Sequence, residues 1–189
     1  MLRKIKLRFT AIAVVALIVT LLAQPSLAYY TVFGTATNIV TSGNITLKIK
    51  EMTDQGTPFP EEGVYIIPGD VVSKVVTIEN VCDHPFYLRV KIVYGINNEA
   101  LSADDCFSLN INTQYWTYHD GWYYYIGIVS PGEETPHVFS NVEIVGSKVD
   151  TSYVGSTLRL SVIAQAVQSE NNPIENGDTT TALGWPAEE

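Results

Sequence analysis

Three histidines, two cysteines and the paired acids at Glu61-Glu62, Asp104-Asp105 and Glu133-Glu134 are the residues of this chain that could bind a metal or attack a substrate. His84, His119 and His137 form no His-Glu-x-x-His pattern and no i, i+4 pair, so they lack the helical arrangement of a zinc protease. Each falls at an expected turn or strand start: before Pro85, beside Asp120-Gly121 and after Pro136. They read as exposed loop histidines. Glu61-Glu62, Asp104-Asp105 and Glu133-Glu134 supply oxygens, but calcium takes roughly six or more at a loop spacing that none of these pairs shows. Solvated turn acids are the expectation. No Gly-x-Ser-x-Gly elbow and no phosphate-cradling glycine loop is present, so no nucleophile with its base can be assembled. The chain is read as a non-enzyme with no metal and no cofactor.

A second kind of chemistry is stacking. In the run WTYHDGWYYYI, Trp116, Tyr118, Trp122 and Tyr124 alternate, and alternate residues of a strand share a face. Lined up across a hairpin they would make a platform for sugar rings, the glycan-contact reading. The same rings would also stabilise the hairpin, each cross-strand pair by roughly 0.2–1 kcal/mol.

The elements that must position these residues read as strands. Helical periodicity is hard to find after residue 29, whereas period-two runs recur between turn signals. Phe86, Leu88, Val90, Ile92 and Tyr94 alternate with Tyr87, Arg89, Lys91 and Val93; Leu158, Leu160, Val162, Ala164 and Ala166 alternate with a second face that is half apolar. Phe107, Leu109 and Ile111 give a one-sided strand, and further strands are expected over 30–40, 44–50, 72–81, 115–118, 122–126 and 138–145. Asp120-Gly121 is a hairpin signal, and Pro68-Gly69 and Pro131-Gly132 fit type II turns. Eight or nine short strands suit an all-β, two-sheet sandwich of jelly-roll type over residues 29–168. Residues 169–189 read as an acidic, mobile tail in which Trp185 alone has the bulk to dock back.

The first 28 residues differ from the rest. Arg3, Lys4, Lys6 and Arg8 precede the apolar run AIAVVALIVTLLA, and Gln24-Pro25-Ser26-Leu27-Ala28 closes it with small residues, the pattern of a secretory signal peptide cut between Ala28 and Tyr29. The run would reach about 20 Å as a helix, short of a hydrocarbon core of about 30 Å, so the membrane is met only through the uncleaved signal peptide. Taking the leader's four bases from the chain's 11 leaves seven against 20 acids, a balance of −13. That sign disfavours nucleic acid and anionic lipid as partners. Apolar residues make up 46% of the chain, too many for a disordered one. Export would permit a Cys82–Cys106 disulfide, but a strand of about 30 Å is expected between the two, and a bridge needs Cα atoms within about 7 Å. It would form only if the 95–105 loop doubled back, and both states remain open.

The order of pieces resembles a known family. A signal ending at Ala28 is followed by AYYTVFGTATNIVTSGNITLKI, IIPGDVVSKVVTIENVCDHPFYLRVKI, DGWYYYIGIVSPGEETPHVFSNVEI and LSVIAQAVQ. Over roughly residues 12–168 this is similar to the TasA/camelysin family of exported proteins of Gram-positive bacteria, whose leaders a SipW-type peptidase removes. The resemblance implies a jelly-roll sandwich secreted to the cell surface or biofilm matrix. It also implies self-association into fibres by donation of the N-terminal strand, alone or with co-exported family members. Tyr30, Val32, Phe33 and Ile39 would then fill the neighbour's pockets while main-chain hydrogen bonds supply attachment. The camelysin branch carries a metallopeptidase label, which the missing zinc motif does not support here, and Cys82 departs from the family pattern. Cell-wall glycan held by the aromatic hairpin is the alternative function.

Overall fold

A computed structural model describes the backbone of residues 30–38 and residues 45–187 in full. The expected leader, its cleavage point at Ala28 and Tyr29, and the donor candidate Ile39 lie outside the described residues, and Tyr30, Val32 and Phe33 are described by backbone alone. The described residues form eleven strands and no α-helix: β1 (Tyr30–Asn38), β2 (Leu47–Met52), β3 (Val64–Ile66), β4 (Val71–Ser73), β5 (Val75–Asn80), β6 (Phe86–Ile96), β7 (Phe107–Leu109), β8 (Trp116–His119), β9 (Trp122–Tyr125), β10 (Asn141–Ile144) and β11 (Thr157–Gln168). The all-β expectation holds. A six-stranded sheet runs β3-β1-β11-β6-β9-β8, a three-stranded sheet β4-β10-β7, and β2 pairs with β5.

One face of each sheet meets a common core. In β11, Leu158, Leu160, Val162, Ala164 and Ala166 are fully buried, and they lie opposite Ile96, Tyr94, Ile92, Val90 and Leu88 of β6. Ile49, Val76 and Ile78 of the β2–β5 pair and Phe107, Val142 and Ile144 of the three-stranded sheet close the same cluster. The second, half-apolar face of β11 agrees with its central position between β1 and β6.

Two elements differ from the sequence reading. The expected strand over 72–81 divides at Lys74: β4 pairs with β10, whereas β5 pairs with β2. Lys74 N and Val76 N donate instead to the carbonyls of Ser140 and Phe139, so the chain changes sheets there. The three-residue β3 gives no usable periodicity, and the sequence does not reveal it.

The turns follow their chemistry. Asp120 and Gly121 both take positive φ, 48° and 84°, as a type I′ hairpin requires. Gly69 and Gly132 have φ of 93° and 76°, and each Pro-Gly turn is closed by a backbone bond, Asp70 N to Ile67 O and Glu133 N to Ser130 O. The acid after each glycine bends back onto the same turn: Asp70 Oδ2 accepts from Ile67 N and Glu133 Oε2 from Ser130 N. The PGD and PGE corners are thus equivalent in hydrogen bonding as well as in sequence.

Glu134, the neighbouring acid, ties its segment to the β2–β5 pair. Lys50 Nζ lies 2.6 Å from Glu134 Oε2 and 3.0 Å from Glu79 Oε2, and Thr77 Oγ1 donates to Glu134 Oε1. The bond from Lys50, then that from Thr77, hold the Glu134 carboxyl below its ordinary 4.5. A carboxylate depressed in the folded state stabilises fully above the unfolded value, and the contribution is lost as pH falls through the folded value. Glu134→Gln should therefore narrow the loss of thermal stability between about pH 7 and about pH 3. A loss identical to wild type would show that the cluster does not act on stability.

Candidate functional site

The two-residue turn sets the hairpin's register, and the register decides what the aromatic residues can do. Trp116 faces Tyr125, Thr117 faces Tyr124, Tyr118 faces Tyr123 and His119 faces Trp122. Directly opposed residues share a face, so Trp116 and Tyr118 lie with Tyr125 and Tyr123. Trp122 and Tyr124 lie on the opposite side. The expected single platform of Trp116, Tyr118, Trp122 and Tyr124 is corrected accordingly. Residues alternate along each strand as expected, but a two-residue turn pairs even-numbered residues of β8 with odd-numbered residues of β9. Trp116 is 1% exposed and belongs to the core, its indole Nε1 donating to the carbonyls of Pro136 and His137. Of the four rings only Tyr118 is exposed, tilted against Tyr123 with ring centres 5.0 Å apart.

On the outer face, Tyr124 lies opposite Arg89 of β6, and Arg89 lies opposite Gln165 of β11. The guanidinium is held from three sides. Its Nε and one terminal nitrogen donate to Gln165 Oε1 at 2.9 and 2.6 Å, and the other donates to the Tyr124 hydroxyl at 3.0 Å. Its carbon lies 4.2 Å from the centre of the Trp122 ring and 4.7 Å from that of Trp185, a cation between two indoles. Trp185 meets Tyr124 edge-on at 5.6 Å, and Lys91 Nζ lies 5.5 Å from the Trp122 ring. Arg89 is 8% exposed, Trp122 3% and Tyr124 4%.

The cover is the segment expected to be a mobile tail. Residues 169–187 fold back over this face, so that expectation is corrected. Asn176 and Gly177, at φ 50° and 79°, make a turn bridged by Glu175 and Asp178. Asp178 caps a single 3-10 turn over Thr179–Thr181, and Thr179 Oγ1 donates to Tyr125 O. Ala182 packs with Tyr87 and Val167 in a small second cluster that Ile174 and Trp185 border. The Pro186 carbonyl accepts from Arg89. Asn176-Gly177 is a strong turn dipeptide, and it was the available clue that an acidic stretch would fold. Arg89 and Gln165 are 76 residues apart in the chain, so no local pattern in the sequence links them.

The cysteines have separate partners. Cys82 Sγ lies 3.0 Å from Asn80 Oδ1, and Cys106 Sγ donates to Ser102 O at 3.2 Å; both thiols are free. Burial pushes the Cys106 thiol up. His84 and His119 are exposed and His137 is half-buried. Among the described residues no group of three or more His, Cys, Asp or Glu is arranged to hold a metal.

The expected donor strand has its own geometry. β1 runs parallel to β11 over the pairs Thr31↔Thr157 to Asn38↔Ala164, in a molecule whose other paired strands are antiparallel among the described residues. Its other side pairs with β3 from Tyr30↔Ile66 to Val32↔Val64, and among the described residues β3 joins the sheet through β1 alone. Compared with known proteins, the chain matches no protein-family model, no curated protein and no solved structure.

Proposed function

We propose that this chain is an exported structural protein of the cell surface or biofilm matrix, a sandwich of jelly-roll type that assembles into filaments through β1. The observation that carries the reading is the place of β1. It fills a slot between β11 and β3, and its pairing with β11 is parallel, between segments more than 100 residues apart in the chain. Nothing in such a ladder requires both strands to come from one molecule. Without β1, the 12-residue β11 becomes an open edge, and an open edge is a template for a strand from a neighbour. Donation from copy to copy is head-to-tail and does not close on itself, which gives filaments. The run of small and β-branched residues in YTVFGTATN suits a strand held chiefly by its backbone. The resemblance to the TasA/camelysin family points the same way and adds the secreted location.

Deleting residues 29–40 should abolish fibres in electron micrographs and leave species that sediment as monomers. A synthetic peptide of residues 29–40 should then bind the deleted chain and raise its melting temperature. Fibres undiminished by the deletion would rule out donation.

A further inference from the structure

The C-terminal segment is chemically unlike the surface it covers. From Ser169 to Ala187 it carries Glu170, Glu175 and Asp178 without a base, and the sequence goes on to Glu188 and Glu189. Beneath it β6 presents Arg89 and Lys91, two of the seven bases found after residue 28. The fit is specific at one point: the Trp185 ring closes a stack with Arg89 and Trp122, and the adjacent carbonyl of Pro186 accepts from the guanidinium. The fit is also imperfect. Trp185 Nε1 is buried with no hydrogen-bond partner, so docking costs the indole its water without a replacement. The segment leaves β11 through a turn at Ser169–Asn172, with Asn171 at φ 58°. It forms an arm joined to β11 by a single turn, and its tip sits in a built slot.

We propose that the slot formed by Arg89, Trp122 and Tyr124 docks the C-terminal arm of a second copy, so that neighbouring copies exchange arms. The slot reads an indole, a carbonyl and an acidic flank, and an arm from another copy presents all three identically. A tethered arm competes at an effective concentration of about millimolar, which keeps it at home in dilute solution. Copies crowded side by side reach comparable concentrations, and exchange then links them without any new contact type. The link is independent of β1 and stands whether or not that strand is donated.

The test uses the full chain carrying Trp185→Ala, which empties the slot, and a fluorescent synthetic peptide of residues 169–189. The peptide should bind this variant at micromolar concentration, at least tenfold more tightly than it binds wild type, whose slot is filled. A peptide carrying Trp185→Ala should lose at least tenfold. In light scattering, a mixture of the Trp185→Ala chain with a Trp122→Ala chain should give a one-to-one complex that neither forms alone. The peptide arm of the experiment needs only the first variant, so a poorly folded Trp122→Ala chain leaves it intact. No peptide binding by a Trp185→Ala chain with native circular dichroism, or equal binding by that chain and wild type, would overturn the proposal.

Discussion

Replacing Lys74 with alanine is expected to lower the free energy of unfolding by about 3–5 kcal/mol, the cost of breaking a buried ion pair from one side. The Lys74 side chain is fully buried where β4 passes into β5. Its Nζ stands 2.7 Å from Glu51 Oε2 and 4.2 Å from the centre of the Phe59 ring. Burial pushes the ammonium below its ordinary value, and Glu51 opposes that shift. Glu51 is 13% exposed, and its Oε1 already lacks a partner. Removing the lysine would strip a mostly buried carboxylate of its counter-charge. At about 2–4 °C per kcal/mol for a chain of this size, the melting temperature should fall by roughly 10 °C. The pair Lys74→Met with Glu51→Leu should recover most of the loss, because paired charges taken from water are often replaceable by apolar residues of similar volume. Urea melts of the single and double variants decide it. A single variant within about 1 kcal/mol of wild type would show that the pair is hydrated.

Arg89→Ala should cost about 3 kcal/mol or more and should also free the C-terminal segment. The guanidinium bridges Gln165, Tyr124 and Pro186 while filling the space between two indoles, and Gln165, 4% exposed, loses its hydrogen-bond donors when it goes. Arg89→Lys should fail to restore it, since an ammonium cannot lie flat between rings and donate in three directions. Limited proteolysis separates this effect from general loss of stability. Cleavage within residues 169–187 should appear at temperatures where the sheet core is still protected. Global unfolding without earlier release of the segment would show that the segment and the sheet form one cooperative unit.

Much of the fold was legible because it depends on local period and local turns. The alternations at Phe86–Tyr94 and Leu158–Val167 became the two longest strands, β6 and β11, with the expected faces inward. Asp120-Gly121, Pro68-Gly69 and Pro131-Gly132 formed the turns their backbone preferences dictate. The break at Lys74 was not legible, because a lysine within an alternating run reads as outward-facing. Only the approach of Glu51 and Phe59 from other parts of the chain makes its burial tolerable.

The candidate site divides in the same way. Sequence alone determined that residues 116–125 form an aromatic hairpin around Asp120-Gly121 and that Tyr30 opens an extended segment. Both follow from interactions between residues close in the chain. Tertiary structure alone decided that Trp116 faces the core while Trp122 faces Arg89, that β1 lies parallel to β11, and that Trp185 closes the slot. Each of these pairs residues whose separation in sequence carries no information about their distance. Register across a sheet and the return of a chain end are settled by which buried charges and rings find partners, and those partners meet only when the whole chain has folded.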